Sequence, residues 1–131
     1  MKHTISVLVE NHFGVLARVS GMFSARGYNI DSLCVGVTEN PEISRMTVVV
    51  RGDDRVVEQI VQQLNKLVDV IEVLDLSQTD HVERELVLVK LGANNTQRSE
   101  IIEIAAIFRA KVVDLGADAI VVEGTGSADK V

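Results

Sequence analysis

An α+β fold is predicted from three observations. Two amphipathic helix stripes lie between short alternating strands, in the order strand, helix, strand, strand, helix, strand, over residues 1–77. That order is the split βαβ arrangement of a ferredoxin-like βαββαβ domain. A polar stretch follows, and the order then restarts as strand, helix, strand, strand over residues 78–131. The expectation is therefore two domains. The second is a βαββ portion, ending before the helix and strand that would complete it.

Residues 4–9 alternate, with Ile5, Val7 and Val9 on one face and Thr4, Ser6 and Leu8 on the other, as a strand with one buried face does. Val15, Leu16, Val19, Met22 and Phe23 fall on one helical stripe within residues 14–26. Residues 30–38 read as a second strand, with Leu33, Val35 and Val37 facing one way and Ser32, Cys34 and Gly36 the other. The small residues leave room for a neighbouring chain or a ligand. Glu39, Asn40 and Pro41 mark a turn. Met46, Val48 and Val50 alternate through a third strand, residues 44–51, and Asp53 is placed to cap the next helix. Val56, Val57, Ile60, Val61 and Leu64 give that helix its stripe. Residues 68–76 form the fourth strand, expected to alternate with Val68, Val70, Glu72 and Leu74 on one face. After the linker, the expected elements are a strand at 85–91, a helix at 97–109 with Ile101, Ile102, Ala105 and Phe108 on its stripe, and strands at 111–115 and 119–123.

The stretch from Glu10 to Asp31 organises the first domain. Asn11 and Gly14 precede the first helix, and Gly27 follows its last apolar turn. A helix start carries unpaired N–H groups and the positive end of the macrodipole, so it attracts a carboxylate. Gly14 has no Cβ and lets a ligand approach the backbone. On shape alone, plain helix punctuation by the two glycines is the stronger reading, because loops rich in Gly and Asn are common.

Composition narrows the function. Apolar residues make up 47% of 131, but aromatics only 3%, so the core is Val, Ile and Leu. The net charge of −6, with no Lys/Arg block, argues against nucleic acid. Cys34 is alone, so no intramolecular disulfide is possible, and it is expected to pack within the sheet. There is no leader-like segment and no apolar run long enough to span a bilayer, so a soluble, cytoplasmic protein is expected. His3, His12 and His81 lack a Cys, Asp or Glu at helical or finger-type spacing, which argues against a metal site; His12 is the one to watch, because it lies in the Asn11–Gly14 loop. No nucleophile stands in a catalytic context. Gly124-Thr125-Gly126-Ser127 lacks the lysine of a phosphate loop and fits a strand-end loop.

At NHFGVLARVSGMFSARGYNIDSLCVG the chain resembles an ACT domain, an amino-acid-binding regulatory module. SRMTVVVRGDD, LNKLVDVIEV, HVERELVLVKL, IFRAKVVDL and EGTGSADKV extend the resemblance, in order, to the regulatory small subunit of acetolactate synthase. The resemblance covers essentially the whole chain. It implies a chain without catalysis of its own, which binds and activates a catalytic large subunit and confers feedback inhibition by valine or a related branched-chain amino acid. Thiamine diphosphate, Mg and FAD would belong to that partner, not to this chain. The effector would sit between two ACT domains of a homodimer, against residues matching Asn11, Gly14, Val15 and Leu16 of one copy and Asn29 and Ile30 of the other. In that arrangement Gly14, Val15 and Leu16 amides meet the carboxylate, Asn11 or Asn29 accepts from the ammonium group, and Val15 and Ile30 flank the aliphatic side chain. Two other classes remain: a free-standing ACT sensor acting on another protein, and a small enzyme.

Overall fold

Strand β1 (Lys2–Glu10) is bonded along both edges. The computed structural model, which describes residues 1–131, pairs it antiparallel with β3 (Ile43–Arg51), from Lys2 opposite Arg51 to Glu10 opposite Ile43. On its other edge it pairs antiparallel with β4 (Val70–Asp75), and β2 (Ser32–Val37) adds to β3 to give the order β2-β3-β1-β4. Helices α1 (Val15–Ala25) and α2 (Asp54–Asn65) supply the rest of the core. Ile5, Val7, Val9, Met46, Val48 and Val50 meet Val15, Val19, Phe23, Val57, Ile60 and Leu64 in one buried cluster. This first unit, Met1–His81, is the ferredoxin-like domain expected from the sequence. It runs past residue 77 because a 3₁₀ turn at Leu76–Gln78 is fastened to β1: the Thr4 N–H donates to Ser77 Oγ at 2.9 Å.

The ends of both helices follow from named residues. Asp53 caps α2 by accepting from the Val56 N–H at 2.9 Å. Gly27, at φ +71°, ends α1. The Tyr28 N–H reaches back to the Phe23 carbonyl (2.9 Å) and the Gly27 N–H to that of Ser24 (3.2 Å), which is a Schellman closure.

Two expectations for this unit fail. Fourth-strand alternation breaks because Val9 pairs with Val70 but Leu8 with Glu72, leaving Ile71 as an inserted residue. This bulge rotates the strand, so Val70 and Val73 both pack on the core while Leu74 is exposed. Cys34 is exposed rather than packed, because β2 is an edge strand. Leu33 and Val35 share the core face with Val48 and Met46 by register, yet they are 40% and 42% exposed.

The second unit, Val82–Val131, contains β5 (Glu85–Gly92), α3 (Asn95–Ile107), β6 (Lys111–Leu115) and β7 (Ala119–Gly126), with sheet order β5-β7-β6. The element order is as expected, and Gly124–Gly126 extends β7 instead of forming a loop. Helix α3 starts two residues before the expected position, since Asn94 and Gln97 form a capping box. Its core is thin: Ala93, Ala105, Ile120 and Val122 are buried, while Leu86, Leu88, Ile104, Ile107 and Leu115 are exposed.

Two stability changes follow. Asp53→Ala should cost about 1 kcal/mol through loss of the cap, seen as a lower denaturant midpoint at unchanged slope. Arg109 closes α3 at φ +56°, where an L side chain is disfavoured. Arg109→Gly should therefore stabilise by up to about 1 kcal/mol and raise the midpoint; an unchanged or lower midpoint would contradict this.

Candidate functional site

The turn from β1 into α1 places Asn11, Gly14, Val15 and Leu16 together. The Asn11 N–H donates to the Glu42 carbonyl (2.8 Å) and its side-chain Nδ2 to the Pro41 carbonyl (2.9 Å), so Asn11 is tied to the β2–β3 turn. With the nitrogen so engaged, Oδ1 is the atom left to accept a bond. Gly14 sits at φ +83° as the N-terminal cap of α1, with no side-chain cap. The first intrahelical bond runs from the Arg18 N–H to the Gly14 carbonyl (3.1 Å), so the amides of Leu16 and Ala17 precede it, as at any helix start. The Val15 N–H makes only a long contact, 3.5 Å, with the His12 carbonyl.

One expected role changes. The Val15 side chain is 3% exposed and belongs to the core, so Val15 offers only its backbone. Leu16, expected on the buried stripe, is 45% exposed and is the apolar side chain available at this helix start.

Arg18 was not singled out by the sequence reading. A Cβ added at Gly14 would lie 3.1 Å from its Nη1, and its Nε bonds Asp69 Oδ2 at 2.6 Å. A cation in the first turns of a helix runs against the macrodipole, and that was the available signal. Here it adds positive charge beside the amides. The same corner collects Glu10, His12 and Asp69, whose possible ligand atoms lie within 4.8 Å of one another. A cavity of about 480 Å³ in front of the loop is lined by residues including Glu10, Asn11, His12, Pro41 and Ile43.

Asn29 and Ile30 lie after α1, at the other end of β1. Asn29 is exposed and its Nδ2 donates to Asp31 Oδ1 (3.1 Å); Ile30 is half-buried against the core. Arg51 Nε donates to Asp31 Oδ2 at 2.5 Å, and the Asp31 N–H to the Val49 carbonyl at 2.8 Å. The 11 residues of α1 separate this loop from Gly14, about 16 Å at 1.5 Å per residue. One chain therefore does not bring all six residues together.

The first unit has the ferredoxin-like architecture of an ACT-type domain. An AHAS small subunit-like ACT domain model matches residues 5–72, and one for the small subunit of acetolactate synthase matches residues 84–131. The chain belongs to the acetolactate synthase small-subunit family. It is 55% identical over 131 residues to a probable acetolactate synthase small subunit of Archaeoglobus fulgidus, covering 100% of this chain and 82% of the relative. It is 51% identical over 129 residues to the acetolactate synthase small subunit of Mycolicibacterium smegmatis, covering 98% and 76%. A crystal structure of the acetolactate synthase small subunit from Thermotoga maritima superposes with a TM-score of 0.90 at 38% identity, covering 99% of this chain and 81% of that one. No helix is long and apolar enough to cross a membrane.

The Asp31 carboxyl is held below its ordinary value of 3.8, first by the hydrogen bond from Arg51 and also by that guanidinium's charge and the Asn29 amide. A depressed carboxylate stabilises the fold above its unfolded pKa, and that contribution is lost as pH falls through the folded one. Asp31→Asn should therefore flatten the acid-side loss of stability below about pH 3.8. Parallel denaturant titrations at pH 5 and at pH 3 check this; equal losses in parent and variant would remove the assigned role.

Proposed function

We propose that this chain is a non-catalytic regulatory subunit that binds and activates the thiamine-diphosphate-dependent large subunit of acetolactate synthase. It confers feedback inhibition by valine or a related branched-chain amino acid. Thiamine diphosphate, Mg and FAD stay with the catalytic partner. The observation that carries this reading is the separation of the two halves of the candidate site. Helix-start amides with Arg18 lie at one end of α1, and Asn29 at the other.

A second copy placed side by side brings one end against the other. The β2 edge favours such pairing: its backbone is open on one side, and Leu33, Val35 and Val37 are exposed along it. The effector carboxylate would then meet the amides of Gly14, Val15 and Leu16. The oxygens of Asn11 and the partner copy's Asn29 would accept from its ammonium group. Leu16 replaces Val15 beside the aliphatic group. Burying an isopropyl group contributes only a few kcal/mol, so discrimination among branched-chain amino acids should be modest. A ligand held by two copies biases their relative orientation. A coupling of about 1–3 kcal/mol between effector and catalytic state is typical of such regulation.

Gly14→Asp and Gly14→Asn make a paired test, since both residue types tolerate a left-handed backbone and differ mainly in charge. The Asp variant should lose valine binding by titration calorimetry, and with it feedback inhibition, while still co-eluting with the catalytic subunit. The Asn variant should keep a larger share of both. Equal valine affinity in the Asp variant and the parent would displace the site from this loop. Failure of the unaltered chain to co-elute with the catalytic subunit would instead overturn the partnership.

A further inference from the structure

The geometry points to a binding site for a divalent first-row transition ion, of the Zn²⁺ or Co²⁺ type, formed by Glu10, His12 and Asp69. His12 Nε2 lies 3.2 Å from Glu10 Oε2. Two donors of a tetrahedral ion bound at 2.0–2.1 Å stand about 3.3 Å apart. All three possible ligand atoms fall within 4.8 Å of one another, so a small inward movement of side chains closes the set.

The three residues are also linked through backbone hydrogen bonds. The Glu10 N–H donates to the Asp69 carbonyl (2.9 Å) and the His12 N–H to the Glu10 carbonyl (2.9 Å). Asp69 is 8% exposed, and Arg18 Nε holds its Oδ2 at 2.6 Å. That contact orients the carboxylate and leaves Oδ1 for the ion, in the way outer partners orient metal ligands. The Glu10 and His12 side chains are 48% and 59% exposed, so the entry path is open. Water would complete the coordination.

The donor set selects the ion. An imidazole nitrogen with two carboxylates suits Zn²⁺, Co²⁺ or Mn²⁺, whereas Mg²⁺ and Ca²⁺ prefer all-oxygen sets. Arg18 opposes the added charge, so micromolar rather than nanomolar affinity is expected. Such an ion would draw in the loop that carries Asn11 and Gly14. Any effect on amino-acid binding rests on the proposed effector site, whereas ion binding itself does not.

The test is titration of the full chain with Zn²⁺ by calorimetry and with Co²⁺ by visible absorption, both without amino acid. The parent should bind one equivalent per chain, with a Co²⁺ spectrum showing nitrogen ligation. His12→Ala and Glu10→Gln, both changes at exposed positions, should each weaken binding at least tenfold, and His81→Ala should not. Equal affinity in parent and His12→Ala, binding abolished by His81→Ala, or no binding by the parent would each overturn the site. Metal binding that persists in Gly14→Asp, which tests the effector loop, separates this inference from the proposed regulatory function.

Discussion

The antiparallel pairing of β1 on both edges is the constraint on which the first unit depends. A strand bonded to β3 and to β4 has no free backbone edge, and its Ile5, Val7 and Val9 face the centre of the core. Helix α1, packed on it in the same core, spans about 16 Å. At one end the chain turns through Asn11 and Gly14 into α1; at the other it returns through Asn29 and Asp31 into β2. The distance between the two halves of the proposed site is thus set by the helix that packs on the strand stabilising the domain.

The two ends of the proposed site differ in local chemistry. The Gly14 end has the positive pole of α1 and the Arg18 guanidinium, which is paired with Asp69, and Glu10 stands in the same corner. The Asn29 end is fixed by Asp31, which bonds Arg51, Asn29 and the β3 backbone together.

The second unit presents the opposite balance. Its strands and helix form as the pattern requires, with a capping box at Asn94 and Gln97. Leu86, Leu88, Ile104 and Leu115 nevertheless remain exposed. A unit of this size buries a smaller fraction of its surface than a larger domain does, and apolar residues on a three-stranded sheet with one helix exceed what that helix can cover.

Alternation and helical stripes were enough to place every strand and helix of both units to within a few residues, because burial on one face imposes a period on the sequence. Asp53 and Gly27 were equally legible, as each acts on its own neighbours. Three things were not. The bulge at Ile71 arises from the register between β1 and β4, so no local pattern announces it. The exposure of Cys34 and Leu33 depends on β2 lying at the sheet edge. The meeting of Glu10, His12 and Arg18 with Asp69 joins residues far apart in the chain. The sequence by itself determined the elements, their order and the loop that starts α1, because these rest on interactions between near neighbours. Only the tertiary structure decided that Val15 turns inward while Leu16 stays out, and that Gly14 and Asn29 stand a helix length apart, because those facts are set by how β1 is clasped between β3 and β4.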